Sequence, residues 1–406
     1  MPSGHLRGYN AGMNPISAFD YHVPTHTLFG SGCLNRLHEQ ELPGRRALVV
    51  ISKGRSTRAN GYLDRTLREL ELAGVSCEIF DRVEPNPLKD TVMAGAAAAR
   101  AAGAEFIVAL GGGSVMDAAK GMAMMATNSG DLWDYVLFGT GGRKPVAVKP
   151  LPLVAITTTA GTGSETDGGG VITNPETQEK TAIFDGVRLF PCLAVVDPEL
   201  MTSVPPAFTA YQGFDALFHS TEGYISSRAN LMSDVVALAA IENVGRYLAA
   251  TVADGGNLPA RERVAFGNWL SGLQMVVGTC TSEHSLEHAL SAYHQELPHG
   301  AGLIMISKAY YTHFIKAGCC PERFVRMAQA LGMSEAKEPM DFITALAALQ
   351  NACGVGNLRM SDYGIRPEEF PAMARNAMDC MGFLFGADPA PLSEADCIAI
   401  YQASYA

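Results

Sequence analysis

The sequence predicts an α/β domain with a parallel sheet, followed by an all-helical domain. The chain has 406 residues, which is too long for one typical hydrophobic core and favours about two domains. Before Pro198, short apolar runs alternate with helical patterns, whereas only helical periodicity follows it. We therefore expect one domain over residues 1–197 and a second over residues 198–406.

Several apolar runs in the first domain are predicted to be strands. They are ALVVIS (47–52), CEIF (77–80), EFIVAL (105–110), PLVAIT (152–157) and LAVVD (193–197). Helical patterns lie between some of them, such as GYLDRTLRELELAG, which ends at Gly74, and an alanine-rich segment over 90–102. Because hydrophobicity is continuous along each run, the strands are expected to be parallel and covered by helices on both faces.

The second domain contains long segments of helical period. The clearest cover 229–250, 260–279, 338–353 and 393–403. Near the N-terminus, FDYHVPTHTLFGSG (19–32) has strand character and is predicted to form a ribbon at an edge of the sheet. An exposed sheet edge favours pairing with another chain, so we expect a homodimer.

Composition excludes several classes of partner. The net charge is −11 and the isoelectric point is near 5.4, which argues against a nucleic-acid-binding surface. The nine cysteines include no C-x-x-C pair and indicate reduced thiols in a cytoplasmic protein. The N-terminal MPSGHLRGYNAGMNPI lacks the apolar stretch of a secretory signal, and no apolar run reaches the ~18 residues that span a membrane.

Two glycine-rich turns follow predicted strands. The first, in EFIVALGGGSVMDAAKGMAM, places backbone amides at a helix N-terminus, where the helix dipole favours a phosphate. The second, AITTTAGTGSETDGGG, offers several hydroxyls beside flexible backbone. The alternatives are a tight turn capped by Ser114, ordinary strand threonines, and a helix capped by Ser164 and Glu165. Because open α/β sheets bind ligands at the carboxyl ends of their strands, a nucleotide is favoured.

Four histidines lie within one short stretch, EHSLEHALSAYHQELPHG. On a helix His284 and His288 share one face, and upstream Asp215 and His219 have the same spacing. His299 stands at a Pro-His-Gly turn that is predicted to open a new helix. Each pair alone is more often a surface interaction or a helix cap than a ligand set. Together, one carboxylate and several imidazoles suit zinc, iron or another borderline divalent ion.

Six motifs occur in a fixed order along the chain. They are VEPNP (83–87), GGGSVMDAAK (111–120), TTAGTGSE (158–165), VVDPEL (195–200), GFDALFHSTEGY (213–224) and HALSAYHQELPHG (288–300). With these motifs the chain resembles the iron-containing, or group III, alcohol dehydrogenases from about Tyr21 to its C-terminus. The resemblance implies a Rossmann-like dinucleotide-binding domain and a helical metal-binding catalytic domain, an architecture that dehydroquinate synthase shares.

The resemblance also implies a role for individual residues. The four metal ligands that it implies are Asp215, His219, His284 and His299. The non-ligand catalytic residue is His288, whose ordinary pKa would suit proton transfer near neutral pH. The cofactor-binding residues that it implies are Asn86, Gly112, Gly113, Ser114, Asp117, Thr158, Thr159, Thr162 and Lys180.

One further cofactor position concerns the choice between NAD and NADP. Many members of the family carry an aspartate at the end of the strand that meets the adenosine ribose, where it repels a 2′-phosphate. This chain has Ser52 there, followed by Lys53, Arg55 and Arg58. The alternative is that these cations are solvated loop residues. Because the repelling acid is missing, we expect NADPH to be used at least as well as NADH.

Two segments depart from the family pattern. The interval between His288 and His299 is one residue longer than in several members, which leaves the loop at 292–297 uncertain. The C-terminal NPR motif of the family is replaced by FGADPAP (385–391), which is expected to alter a wall of the substrate pocket.

The implied activity is reversible hydride transfer between NAD(P) and a small alcohol or aldehyde. Fe²⁺ is the first expectation for the metal, with Zn²⁺ or another divalent ion as alternatives. Two other functions stay open at this point. A glycerol-dehydrogenase-like or dehydroquinate-synthase-like enzyme shares the architecture, but the lyase needs lysines and arginines near the metal, which 213–224 and 283–300 lack. The second open function is that of a non-catalytic nucleotide-binding or metal-binding regulator.

Overall fold

A computed structural model describes residues 18–406 and confirms the predicted fold class. A six-stranded parallel sheet forms the first part of the molecule, and helices form nearly all of the second. The interpretation of the first sixteen residues as lacking a secretory signal lies outside the described residues. We retain the domain boundary after residue 197 as a proposal, supported by the last sheet strand ending at Val196 and the next long helix starting at Pro206.

The parallel sheet contains every strand that the apolar runs predict. The strands of the molecule are β1 (His26–Phe29), β2 (Arg46–Ser52), β3 (Ser76–Val83), β4 (Phe106–Gly111), β5 (Leu153–Thr157), β6 (Gly169–Asn174), β7 (Glu179–Phe184) and β8 (Leu193–Val196). The order in the sheet is β1-β8-β5-β4-β2-β3, with all neighbours parallel. The segment predicted as an edge ribbon forms a strand only over β1, which does lie at one edge of the sheet.

The two remaining strands were not predicted. β6 and β7 pair antiparallel as a separate two-stranded sheet. Their sequences contain glycine, asparagine and glutamate, which are rare in strands, so no apolar run marks them. The hairpin matters for function because it carries Lys180 into the space between the sheet and the helices.

Both faces of the main sheet are buried, as the continuous apolar runs predict. On β2, Leu48 and Val50 belong to one apolar cluster, while Val49 and Ile51 belong to another on the opposite face. The helices associated with this part are α1 (Ser56–Ala59), α2 (Tyr62–Leu72), α3 (Lys89–Ala101) and α4 (Gly113–Thr127).

The second part of the molecule is helical around its own apolar core. Its helices are α5 (Pro206–Ile225), α6 (Leu231–Ala253), α7 (Leu258–Val277), α8 (Ser282–Tyr293), α9 (His299–Lys316), α10 (Pro321–Ala330), α11 (Asp341–Ala352), α12 (Phe370–Phe385) and α13 (Glu394–Ser404). The four helices that the sequence predicts correspond to α6, α7, α11 and α13. The histidine-rich stretch forms α8, and His299 opens α9 as predicted.

One helix, α6, is long and apolar enough to cross a membrane by length and composition, which the sequence analysis did not single out. Its best window has a mean hydropathy of 1.3. One of its faces packs into the helical core through residues such as Ala237, Ile241 and Val244. Core helices of this kind meet the same criterion, so the feature is weak evidence for a membrane span.

A fully buried lysine ties the second glycine-rich turn to α4. The Nζ atom of Lys120 donates to Ser164 O and Oγ, to Asp167 Oδ1 and to Gly169 O, at distances of 2.6–2.8 Å. One turn earlier, Asp117 accepts hydrogen bonds from Ser164 Oγ and from a backbone amide of β6. A buried ammonium of this kind is tolerable only because every proton has an acceptor.

We predict that Lys120→Met lowers the free energy of unfolding by about 3–5 kcal/mol, because the buried carboxylate and carbonyl partners lose their cation. The shift in the urea midpoint measures the effect. Lys149→Met is the matched control, since Lys149 is exposed and we expect no change. A urea midpoint for Lys120→Met equal to that of the wild type would contradict the stabilising role of Lys120.

Candidate metal centre and cofactor cleft

Asp215 lies at the middle of the candidate metal centre. Its Oδ1 atom is 3.3 Å from Nε2 of His284, 3.4 Å from Nε2 of His299 and 3.7 Å from Nδ1 of His219. Asp215 and His219 lie on α5, His284 lies on α8 and His299 begins α9. Three helices therefore bring together all four residues that the resemblance implies as ligands.

Two buried glutamates hold the imidazole rings from behind. Nδ1 of His284 is hydrogen-bonded to Glu222 Oε1, and Nδ1 of His299 to Glu287 Oε2. Both glutamates are fully buried. A carboxylate on one ring nitrogen fixes the tautomer and orients the other nitrogen toward a metal. Neither glutamate is among the residues predicted for the site, although each follows a predicted ligand by three positions on the same helix, a spacing that places side chains together.

The four side chains fit a divalent ion. Two ligand atoms of a tetrahedral ion with bonds of about 2.0–2.2 Å lie about 3.3–3.6 Å apart. The distances from Asp215 to His284 and His299 match this spacing, and the 3.7 Å to His219 is slightly longer. Nδ1 of His219 is buried and has no hydrogen-bond partner within the described chain, which is unusual unless a ligand satisfies it.

The charges of these residues depend on one another. Burial by itself would raise the pKa of Asp215, but the imidazoles of His219 and His299 hold it well below its usual range. Burial would lower the pKa of His284, whereas the carboxylates of Glu222 and Asp215 outweigh it and raise the pKa to about 10. A metal must displace the protons on its imidazole ligands, so binding releases protons from this cluster.

His288 lies beside the four residues without joining them. Its ring centre is 5.3 Å from that of His299 and 6.3 Å from that of His284. The expectation of an ordinary pKa is wrong, because burial and the neighbouring Lys180 and His299 lower the pKa of His288 well below its usual range. Its Nδ1 atom is buried without a hydrogen-bond partner in the described chain. The surroundings therefore favour the neutral form of the ring, whose Nδ1 atom is left without a partner in the described chain.

The two glycine-rich turns lie against each other at the carboxyl ends of β4 and β5. A Cβ atom on Gly112 would lie 2.8 Å from the methyl carbon of Thr159, and one on Gly113 would overlap Thr162. Glycine is therefore required at both positions for the close approach of the second turn. The neighbouring Thr158 donates its backbone amide to Gly111 O.

The first turn leaves a helix N-terminus free of side-chain caps. Helix α4 begins at Gly113, and Gly112 rather than Ser114 occupies the cap position, where no side chain accepts a hydrogen bond. The alternative interpretation of Ser114 as the N-cap is wrong for this reason. The predicted helix capped by Ser164 and Glu165 is also absent, since only a 3₁₀ turn over Ser164–Thr166 forms there. The uncapped amides of α4 remain available to a phosphate.

The second turn also meets the metal centre. A Cβ atom on Gly161 would lie 3.2 Å from Oδ2 of Asp215. Further along the turn, Glu165 accepts a hydrogen bond from Asn268 of α7. We infer that the uncapped N-terminus of α4 and the candidate metal ligands face one cleft between the sheet and the helices, because the second turn contacts both.

Lys180 bridges this cleft from the β6–β7 hairpin. Its Nζ atom donates to Ser291 Oγ on α8 at 2.8 Å and to Asn86 Oδ1 at 3.0 Å, and it lies 3.7 Å from Glu287. Asn86 in turn donates to the backbone oxygen of Gln295. The structure thus links both predicted cofactor residues to the helical domain, and Lys180 lies 3.7 Å from Glu287, the acid that orients His299.

Ser52 lines a cavity of ≈ 520 Å³ at the end of β2. Lys53, Arg55 and Arg58 line the same cavity. Asp81 of β3 lies there too and pairs with Arg58 at 2.8 Å. The pattern at the end of β2 does not reveal this acid, because it lies on a different strand.

The departure FGADPAP supports the histidine-bearing helix. Asp388 within it is buried, and its Oδ1 accepts hydrogen bonds from the backbone amide of Ser282 and from the hydroxyl of Tyr310. Ser282 is the first residue of α8, so Asp388 satisfies an amide at the start of that helix. The longer loop after α8 turns back through a hydrogen bond from Leu297 to His294.

Comparison with known proteins agrees with this arrangement. The family described as "Iron-containing alcohol dehydrogenase" matches residues 24–198, and the family described as "Fe-containing alcohol dehydrogenase family, C-terminal" matches residues 209–405. The chain is 35% identical over 396 residues to a 1,3-propanediol dehydrogenase of Klebsiella pneumoniae, covering 95% of this chain and 99% of that protein. It is 28% identical over 376 residues to an NAD-dependent methanol dehydrogenase of Bacillus methanolicus, covering 89% and 93%.

Solved structures show the same similarity. An archaeal halo-thermophilic Red Sea brine pool alcohol dehydrogenase superposes with a TM-score of 0.91 at 32% identity, covering 96% of this chain and 100% of that one. A 1,3-propanediol oxidoreductase superposes with a TM-score of 0.86 at 34% identity, with the same coverage. The chain therefore belongs to the iron-containing alcohol dehydrogenase family.

Proposed function

We propose that the protein is a metal-dependent, NAD(P)-linked alcohol dehydrogenase that acts on a small alcohol or aldehyde. The observation that carries this proposal is the convergence of one carboxylate and three imidazoles at a cleft whose opposite wall is an uncapped helix N-terminus. Relatives named for propanediol and methanol oxidation support the alcohol dehydrogenase activity over a lyase or a non-catalytic regulator.

Asp215, His219, His284 and His299 would hold the metal. A divalent ion supplies Lewis-acid chemistry when bound there, and a nicotinamide supplies the exchange of hydride. Fe²⁺ is our first choice from the family description, although the ligand types also suit Zn²⁺. Glu222 and Glu287 orient two of the imidazoles, so that their Nε2 atoms face Asp215.

The remaining residues bind the cofactor and move the proton. The backbone of Gly112, Gly113 and Ser114 would hold the diphosphate at the start of α4, with Asp117 fixing the adjoining turn. Lys180 and Asn86 would meet the ribose from the edge of the cleft. Thr158, Thr159 and Thr162 belong to the second turn, which packs against Gly112 and Gly113 and would line the cofactor cleft there.

His288 would accept the proton released when an alcohol is oxidised, because its buried ring is neutral and has a free nitrogen. In the reverse direction it would return a proton to the product oxygen. Both steps require only that the substrate oxygen reach this ring, which lies beside the proposed ligands.

The proposal includes use of both NAD and NADP. A relative named as NAD-dependent supports NAD. Ser52, Lys53 and Arg55 at the cavity after β2 support NADP, because no acid follows β2 and two cations remain unpaired within the described chain. Asp81 favours NAD over NADP, since it pairs with Arg58 and neutralises its charge.

We further propose a cytoplasmic homodimer. The edge strand β1 leaves one side of its backbone unpaired within the described residues, and Phe29 at its end is 40% exposed. The acidic net charge and the dispersed, unpaired cysteines support a cytoplasmic location.

The first prediction from the proposed function concerns the metal. His284→Ala is expected to abolish both bound metal and activity, because it removes a ligand and leaves Glu222 without its partner. Elemental analysis after loading with Fe²⁺ or Zn²⁺ measures the metal. Full occupancy in His284→Ala would rule out the ligand assignment.

His288→Ala is the matched variant for that experiment. It is expected to keep the metal and to lose about 10²-fold or more in kcat, the range of a positioned acid–base group. Loss of metal from this variant would make His288 a ligand instead of a proton acceptor.

The second prediction concerns cofactor choice. We expect kcat/KM with NADPH to equal or exceed the value with NADH, because no acid follows β2. Ser52→Asp should shift the ratio toward NADH, whereas Asp81→Asn should shift it toward NADPH by releasing Arg58. A strong preference for NADH that neither substitution changes would show that this cavity does not meet the ribose.

The third prediction concerns assembly. At micromolar concentration the protein should have the mass of a dimer by light scattering. Replacing Thr27 on β1 by proline should reduce dimer formation, because proline removes a donor from the strand. A monomeric mass for the wild type would refute the proposal.

A further inference from the structure

A buried cysteine lies next to the proposed metal centre. Cys280 precedes α8, is 8% exposed and forms no disulfide. No hydrogen bond to its thiol occurs within residues 18–406. The residue before it, Thr279, has a φ of 103°, a value that β-branched residues rarely adopt, and Thr281 after it is bonded through its amide and hydroxyl to Glu222. The backbone on both sides of the thiol is therefore tightly held.

Cys280 shares a cluster with two of the proposed metal ligands. Ligand atoms of His219, Cys280 and His284 all lie within 4.8 Å of one another. Asp215, His284 and His299 form a second such group, so His284 belongs to both. His219 offers a buried Nδ1 atom that no hydrogen bond satisfies among the described residues. The two groups are adjacent sets of donors, one containing a carboxylate and one containing a sulfur.

We propose that Cys280 is an additional metal ligand, which binds thiophilic divalent ions such as Co²⁺, Zn²⁺ and Cd²⁺ together with His219 and His284. This inference rests on the proposed function, because it assumes that the histidines bind metal. Soft and borderline ions favour thiolate over carboxylate, whereas Mn²⁺ favours oxygen. The centre would therefore hold the two kinds of ion through different donors.

Binding through sulfur replaces a proton by a metal. The S–H bond breaks, its proton passes to solvent, and both electrons stay on sulfur to form the bond to the ion. No oxidant or reductant takes part. Mn²⁺ would instead be held through Asp215 and the histidines, and the thiol would stay protonated.

The simpler interpretation is that Cys280 only packs. It belongs to a small apolar cluster with Cys380, Met381 and Leu384. Cys380 makes a suitable control for this reason, because it is a buried thiol of the same cluster whose sulfur already contacts Glu179. A packing role would give the two cysteines the same behaviour toward metals.

The test is the absorption spectrum of the full-length protein loaded with one equivalent of Co²⁺. A thiolate ligand adds an intense thiolate-to-cobalt charge-transfer band in the near ultraviolet, which nitrogen and oxygen ligands lack. We expect the band in the wild type and in Cys380→Ser. We expect Cys280→Ser to lose it while elemental analysis still finds cobalt bound through the remaining donors.

Competition titrations give a second readout that does not depend on activity. Cys280→Ser should weaken Cd²⁺ binding by about tenfold or more while leaving Mn²⁺ binding nearly unchanged. Stoichiometric Co²⁺ without the band in the wild type, or a band that survives in Cys280→Ser, would overturn the role of Cys280 and leave the metal centre intact. Failure of the wild type to bind Co²⁺, Cd²⁺ and Mn²⁺ would overturn both proposals together.

Discussion

The buried ammonium of Lys120 is the interaction on which the cleft depends. It joins α4 to the turn that carries Ser164 and Asp167, and so fixes the second glycine-rich turn against the first. The second glycine-rich turn also packs on α5 beside Asp215. A single cation thus links the uncapped N-terminus of α4 to the turn that contacts the carboxylate at the middle of the proposed metal centre. Because every donor of Lys120 has an acceptor, the connection is rigid despite lying in glycine-rich sequence.

Behind the imidazoles the helical domain contains a continuous polar interior. Glu222 bonds both His284 and the Thr281 hydroxyl, and Tyr310 links Thr281 to Asp388. These groups are buried, so each partner that is lost would leave another unsatisfied in a medium of low dielectric. The network fixes the start and the rotation of α8. The orientation of the histidines therefore depends on residues from three separate parts of the chain.

Sequence alone predicted the fold class because the inner strands of the main sheet, β2, β4, β5 and β8, are continuous apolar runs, a pattern that burial on both faces produces. It could not predict the β6–β7 hairpin, whose strands are held by pairing and by contacts with α4, with little apolar signal of their own. The proposed ligand set came from the family resemblance that the ordered motifs carry. The carboxylates behind the proposed ligands could not be predicted, since a glutamate on a helix is ordinarily solvent-exposed. Only the tertiary fold buries Glu222 and Glu287. Asp81 was missed for a related reason, because β3 meets the end of β2 only through sheet pairing.

The edge strand β1 has a consequence for how the chain folds. Within residues 18–406 its one partner in the sheet is β8, so Thr27 pairs with Ala194 across more than 160 residues of intervening chain. On a ribosome the N-terminal strand leaves the exit tunnel long before its partner is synthesised. Loop closure over that distance is entropically costly and slow. During this interval the backbone groups of β1 have no internal partner, and a nascent chain in that state is exposed to pairing with other chains and to capture by chaperones.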